Sequence, residues 1–382
     1  MRLFEFEGKE LLRQQGIPVP RGQVAGTPDH AAVIAAPFGE GAAVKAQMLS
    51  GGRGKAGLIR LVTDSKDAGA AAADILDSRP NGERIWQVLV EERLEIAREL
   101  YLSISVDRLA GCPLILACAE GGVEIEQVAA SRPEALVRFP VNVLKGLRAH
   151  EAMSVARQLD LRGADALAFS RFLLALYGAF CNLDAHLVEV NPLVVSPKGE
   201  FVAADAKVIL DDDALFRQPY LQGRPPEPGL TELEMEGRGK KVSYVDLDGD
   251  VALMGNGAGL VMSLLDLVRH YGGRPANFLD TGGGASRTKA RDALRLVLKK
   301  AEWDKRVKSI LLAFSLSISL PEDAAGGVLD ALAERKPRVP IFAVVHGTRA
   351  EVGEAMLRSV GVSVFPTIQE ATRAAASVKP EA

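Results

Sequence analysis

From residue 251 to residue 300 the chain reads VALMGNGAGLVMSLLDLVRHYGGRPANFLDTGGGASRTKARDALRLVLKK. Two short apolar runs, VALMG and ANFLD, each end in a cluster of small residues, and each cluster leads into a stretch with apolar residues every three to four positions. This is strand, turn and amphipathic helix, twice over. The same beat continues as VKSILLAFS (307–315), EDAAGGVLDALAERK (322–336), PIFAVVHG (340–347), RAEVGEAMLRSVG (349–361) and VSVFP (362–366), with YVDLDGDVALMG (244–255) read as the opening strand. Such alternation predicts a parallel, doubly wound sheet whose ligands gather at the carboxyl ends of the strands. Asn256-Gly257-Ala258-Gly259 and Thr281 to Ser286 place backbone N–H groups at helix starts, where carboxylates and phosphates bind. Plain tight turns are the competing reading.

Upstream, the stretch 216–241 holds QGRPPEPG and a charged ELEMEGRGKK with little apolar periodicity, and reads as a linker. The predicted division is a first domain over 1–220, a linker over 221–243 and a second domain over 244–382. The first domain opens with a short amphipathic helix, Leu3 to Gly16, that Gly16, Pro18 and Pro20 close. AAVKAQM, GLIRLVT, WQVLVEE and ELYLSISVDR read as strands, and DAGAAAADILDS and the run from His150 to Cys181 as helices.

At about 150 residues per domain, 382 residues give two or three domains and a core that needs no disulfides. The balance of 46 Lys+Arg against 49 Asp+Glu, net −3, excludes a chain built to coat nucleic acid or an anionic membrane. Cys112, Cys118 and Cys181 form no CxxC pair, so the expectation is a reducing cytoplasm without a cysteine zinc site. Arg171 interrupts the most apolar run, and no membrane span is expected.

Within the first domain, VKAQMLSGGRGKAGLIRLV (44–62) joins two strand-like runs through Gly51, Gly52, Gly54 and Gly57. A strand rather than a helix follows, so the GxGxxG match loses its dinucleotide context, and no Ser or Thr follows Lys55 as a Walker loop requires. What remains is a glycine hairpin whose bare backbone can approach phosphate oxygens, with Lys45, Arg53 and Lys55 adding positive charge. An exposed flexible hairpin is the alternative. In HLVEVNPLVVSPKGEFVAADAK (186–207), a Pro197-Lys198-Gly199 turn with Gly199 left-handed pairs residues whose numbers sum to 396. Asn191 then faces Asp205 and Glu189 faces Lys207, so two oxygen donors can share a hard cation such as Mg²⁺. A solvated polar face is the competing reading here. VLVEERLEIARELYL (88–102) carries Glu91, Glu92, Glu95 and Glu99, one of which can accept from a nucleotide's ribose or base amine, with charged solvent-facing residues the competing reading for most of them. None of His30, His150, His186, His270 or His346 sits in a nucleophile triad or a metal-ligand spacing, and no G-x-S-x-G elbow is present, so if the chain takes part in covalent catalysis the nucleophile comes from elsewhere.

Taken together, VKAQMLSGGRGKAG, ELYLSISVDR, EGGVEIEQVA (120–129), EVNPLVV, DALFRQP (213–219), NGAGLVM and GGRPANFLDTGGGAS resemble the β subunits of succinyl-CoA synthetase and the related malate–CoA ligase, over nearly the whole chain. The resemblance implies an α/β protein: an N-terminal ATP-grasp domain, then a flavodoxin-like, doubly wound parallel-sheet ligase domain. It places Lys45, Gly52, Arg53, Gly54, Glu91, Leu94 and Glu99 around the nucleotide and Asn191 and Asp205 on Mg²⁺. It makes Glu189 the catalytic residue and puts Asn256, Ser317, Ile318 and Ser319 at the acid substrate. Pro20 matches bacterial ATP-using relatives, a hint for ATP over GTP. The phosphorylated histidine and most of the CoA site belong in this family to a separate α subunit, in an αβ or α2β2 assembly.

One stretch departs from the family. Where members carry a motif like N-I-F-G-G-I-V-R-C-D, this chain reads AFSLSISLPED (313–323), without the Gly pair and the Arg. That loop, by resemblance, meets the substrate carboxylate and opens a helix aimed at the phosphohistidine. The expectation is the β subunit of an ADP-forming acid–CoA ligase of the succinyl-CoA synthetase type, with the altered loop placing succinate in doubt and pointing to another dicarboxylate, such as malate, as the alternative acid. The alternatives are a drifted loop still acting on succinate and a nucleotide-binding paralogue without turnover.

Overall fold

The computed structural model describes residues 1–39, 41–49, 52–82, 84–221, 230–316 and 319–379. They form two units, residues 1–224 and 225–382. The first contains two sheets. Around the smaller one run α1 (Glu5–Gln14), β1 (Gly22–Ala25), α2 (Pro28–Ala35), β2 (Ala42–Ala46), β3 (Ile59–Val62), α3 (Ser65–Asp77) and β4 (Val88–Glu92), with strand order β1-β4-β2-β3, all antiparallel. Helix α3 starts where Asp64 accepts from the Asp67 N–H at 2.8 Å, and it buries Ala68, Ala71, Ala72 and Ile75, spaced to share one helical face.

The larger sheet has the order β10-β8-β5-β6-β7, built from β5 (Arg98–Asp107), β6 (Cys112–Cys118), β7 (Leu136–Pro140), β8 (Ala185–Val195) and β10 (Lys207–Leu210), with β9 (Phe201–Ala203) beside β8. Its helices are α4 (Ile125–Ser131), α5 (Ala149–Gln158) and α6 (Gly163–Asn182). The expected single helix from His150 to Cys181 is thus two, because Asp160 takes φ +57 and turns the chain between them. Helix α6 is long and apolar enough to cross a membrane, but its Phe169, Leu173 and Leu176 are fully buried in the core of this unit.

The second unit comprises α7 (Glu232–Gly239), β11 (Ser243–Asp246), β12 (Val251–Gly255), α8 (Ala258–His270), β13 (Asn277–Asp280), α9 (Arg287–Trp303), β14 (Ser309–Leu316), α10 (Pro321–Glu334), β15 (Ile341–Gly347), α11 (Ala350–Ser359), β16 (Ser363–Val364) and α12 (Ile368–Ala376). The parallel strands run β13-β12-β14-β15-β16, a flavodoxin-like order whose switch point lies between β12 and β14. YVDLDGDVALMG is not one strand but two, and β11 pairs antiparallel with β13 at the sheet edge. The supposed linker also contains structure. Thr231 and Glu234 form a reciprocal capping box that starts α7, and Leu233 of that helix is buried in the second unit's core.

Candidate functional site

The glycine hairpin forms as its sequence predicts: β2 and β3 pair antiparallel with Lys45 opposite Ile59. Gly52 (φ +85) and Gly57 (φ +68) take left-handed conformations that turn the loop, and the Leu58 N–H closes it on the Arg53 carbonyl at 3.0 Å. Arg53 folds back beneath this loop. Its guanidinium donates to the Ala46 carbonyl at 3.0 Å, to Glu5 Oε2 at 2.5 Å and to Asp205 Oδ2 at 2.6 Å. Lys55 at the tip pairs instead with Glu124 across the opening, Nζ to Oε1 2.5 Å, so of the three cations it alone stays exposed.

The second hairpin holds the predicted register. Lys207 faces Glu189 and Leu193 faces Ala203, each pair summing to 396, and Gly199 has φ +77. Between these two ladders, where Asn191 and Asp205 stand, no strand pair is formed, and the Ala204 N–H donates to the Pro192 carbonyl at 3.2 Å. Asn191 is held by the β6–α4 loop: the Gly122 N–H donates to its Oδ1 at 2.8 Å, and its Nδ2 donates to the Val123 carbonyl at 3.0 Å. Gly52, Arg53, Gly54, Glu189, Asn191 and Asp205 all line one cavity of about 540 Å³. An amide oxygen keeping one lone pair and a carboxylate in one cavity are the hard oxygen donors Mg²⁺ accepts when phosphates and water complete its shell. Burial pushes the Glu189 carboxyl above its ordinary range, opposed by Lys207 and reinforced by Glu126 and Asp205.

Lys45 and Glu91 are not on that cavity's surface. They sit behind it in a buried ionic cluster. Lys45 Nζ lies 3.1 Å from Glu5, 2.8 Å from Glu91 and 2.7 Å from the Ala204 carbonyl. Lys9 Nζ lies 2.7 Å from Glu5, 2.6 Å from Glu91 and 2.7 Å from the same carbonyl. Glu91 is 2% exposed, so it is an internal counter-ion as the chain stands, and its edge meets a second cavity of about 1230 Å³ that Pro20 and Phe38 also line. Leu94 and Glu99 line neither cavity. A Glu99 oxygen lies 2.8 Å from where a Cβ on Gly122 would stand, which puts it behind the loop that holds Asn191.

In the second unit, Asn256 follows β12 at the switch point, and both ends of its amide are engaged: Nδ2 donates to the Ser315 carbonyl at 2.8 Å and Oδ1 accepts the Ser315 N–H at 2.7 Å. The glycine turns are less free than expected. Asp280 Oδ1 takes the Gly257 N–H at 2.6 Å and the Gly282 N–H at 2.7 Å, so a carboxylate of the chain itself already occupies the opening of α8. Ser319 is half-buried, its Oγ 3.7 Å from where a Cβ on Gly284 would stand. Ser317 and Ile318 lie outside the described residues. Beyond the altered loop, Glu322 in the first turn of α10 pairs with Arg349 at 2.9 Å, so its charge is neutralised locally.

Sequence reading did not find Glu5, Lys9 or Gly122. Glu5 and Lys9 are 4% exposed each, yet an i, i+4 Glu–Lys pair is also the ordinary signature of a solvated helix face. Their neighbours Leu11 and Leu12 are buried on the same helix, and that was the available signal.

A family model described as an ATP-grasp domain matches residues 2–195, and one described as CoA-ligase matches residues 254–378. The chain is 41% identical over 374 residues to the β subunit of the GDP-forming succinate–CoA ligase of Thermus thermophilus, covering 98% of each. It is 39% identical over 375 residues to the β subunit of the ADP-forming enzyme of Ignicoccus hospitalis, again 98% of each. Among solved structures, ATP citrate lyase from Methanothrix soehngenii in complex with citrate and coenzyme A matches with a TM-score of 0.80 over 98% of both chains, at 20% identity, a likeness of fold.

Proposed function

The chain belongs to the succinate–CoA ligase β-subunit family and is an acid–CoA ligase subunit of the ATP-grasp type, and from that premise we propose how its parts serve the reaction. ATP, a carboxylic acid and CoA give acyl-CoA, ADP and phosphate. The γ-phosphoryl passes from ATP to a histidine of the α subunit and then to a carboxylate oxygen of the acid, and the CoA thiol displaces it as inorganic phosphate. Phosphoryl transfer is catalysed mainly by positioning and charge neutralisation. Here that work falls to the Gly52-Arg53-Gly54 loop and Lys45. Asn191 and Asp205 would hold Mg²⁺, which neutralises phosphate charge when bound. Glu189, half-buried on the cavity wall with its carboxyl raised, is the group placed to hold a proton there. Pro20 on the larger cavity favours ATP over GTP, and three unpaired cysteines fit a cytoplasmic setting. The assembly is αβ or α2β2, with most of the CoA site on the α subunit.

One observation carries this reading: a phosphate-seeking cation, Arg53, and a metal-seeking carboxylate, Asp205, meet at 2.6 Å beside a cavity floored by glycines. The altered loop carries the substrate reading. Its far end offers one backbone donor fewer, since Pro321 lacks an N–H, while Ser315 and Ser319 offer hydroxyls in place of bare glycine backbone, so the acid is proposed to be a substituted one such as malate. The test reconstitutes the chain with its α subunit and follows CoA-thioester formation. Synthesis should need both subunits, and labelled ATP should leave acid-labile, base-stable phosphate on the α subunit. Labelled phosphate on this chain overturns the division of labour. A kcat/KM for succinate at least equal to those for malate and itaconate overturns the substrate reading alone.

A further inference from the structure

Three cations, Lys9, Lys45 and Arg53, meet three carboxylates, Glu5, Glu91 and Asp205, in the first unit, and Glu5 is the member that touches all three cations. Its carboxylate lies 2.7 Å from Lys9, 3.1 Å from Lys45 and 2.5 Å from Arg53, with Gln47 Nε2 at 3.4 Å. Helix α1 thereby holds the two cations assigned to the phosphates by a carboxylate that is 4% exposed. Burial alone pushes Glu5 up, but Lys45, Lys9 and Arg53 together hold it well below the ordinary carboxylate range, so it is ionised.

The charges balance without a ligand, so a triphosphate entering the cavity must draw Lys45 and Arg53 toward itself against Glu5. Lys9 is not placed to follow. It is buried one helical turn from Glu5 and anchored on Glu91 and on the Ala204 carbonyl, the residue before Asp205. We propose that Glu5 is a positioning residue that occupies the phosphate's place as counter-ion to Arg53 and Lys45 and yields them to the nucleotide, while Lys9 stays to neutralise Glu5 and Glu91. The proposal rests on the reading of this cavity as the phosphate site.

A purely structural ion cluster and a competing counter-ion predict opposite signs. Removing a carboxylate from buried cations lowers stability under either account. Under competition, however, it leaves Arg53 and Lys45 with less to give up, so phosphate binding tightens. The experiment measures Kd by titration calorimetry, and Tm, for the full chain with its α subunit as wild type, Glu5→Gln and Lys9→Met, using MgATP, inorganic tripolyphosphate and adenosine. Glu5→Gln should lower Tm yet bind MgATP and tripolyphosphate at least threefold more tightly, with adenosine unchanged. Lys9→Met should lower Tm and weaken MgATP, because Glu5 and Glu91 then hold Lys45 harder. Equal or weaker MgATP binding by Glu5→Gln overturns the proposal. If that variant does not fold, Glu5→Asp carries the same test, since it keeps the charge and shortens its reach toward Arg53, and it too must bind MgATP more tightly. Wild-type protein that binds neither MgATP nor tripolyphosphate overturns the phosphate-site reading and the proposal with it, a result distinct from a wild type that binds and variants that move the wrong way.

Discussion

Asp205 has one observed partner and one proposed role. It is Arg53's partner at 2.6 Å, and the proposed metal site makes it one of the two oxygen donors on the cavity it lines. Its replacement therefore has effects of opposite sign. Asp205→Asn removes a charge-assisted contact worth about 1.5–3 kcal/mol to the metal, which is about ten- to a hundredfold in affinity for MgATP. The same change releases Arg53, so ATP titrated in the presence of a chelator should bind no more weakly than to wild type. Calorimetry with and without Mg²⁺ checks both halves, and a loss of equal size without metal removes Asp205 from the metal site. The pairing of Glu189 with Lys207 was legible because strand pairing converts sequence distance into spatial opposition. Arg53's approach to Asp205 was not, since the two are 152 residues apart and only the packing of one sheet against the other brings them together.

At the scale of elements, α9 and α10 pack so closely that a glycine is required at one position and merely present at the next. A Cβ on Gly327 would stand 2.2 Å from the Arg287 carbonyl oxygen and 2.8 Å from Ala290 Cβ, both immobile. On Gly326 it would stand 3.4 Å from the Arg287 Nε, part of a side chain that can shift. Gly327→Ala should cost about 1–3 kcal/mol through overpacking. Gly326→Ala should be neutral or stabilise by up to about 1 kcal/mol, the helix propensity gained over glycine. Denaturant unfolding followed in the second unit separates the two, and equal effects would mean the helices can part at little cost. The β-α beat that produced these helices was readable, whereas which of two adjacent glycines touches a neighbour's backbone depends on the helix crossing. Likewise, α7 escaped detection because it is only eight residues long with little apolar periodicity, and its capping box and Leu233 are what secure it.

For the whole molecule, each unit has hydrophobic cores of its own, the first around Phe169, Leu173 and Val188 and the second around Leu294, Phe314 and Val328. Scanning calorimetry should show two transitions, and only the first unit's should rise with MgATP, by about 2.7 kcal/mol at a hundredfold excess over Kd. A shift confined to the other transition would move the nucleotide site to the second unit. The sequence by itself determined the two-part organisation, the doubly wound second half, the glycine hairpin and the register that pairs Glu189 with Lys207. These follow from local periodicity and turn chemistry, which act over a few residues and are written along the chain. Only the tertiary structure decided that β11 runs antiparallel, that Asp280 fills the turn before α8, and that Glu5 and Lys9 are buried counter-ions rather than a solvated pair. Those outcomes depend on which charges are removed from water together, a property of packing between distant segments that no local pattern encodes.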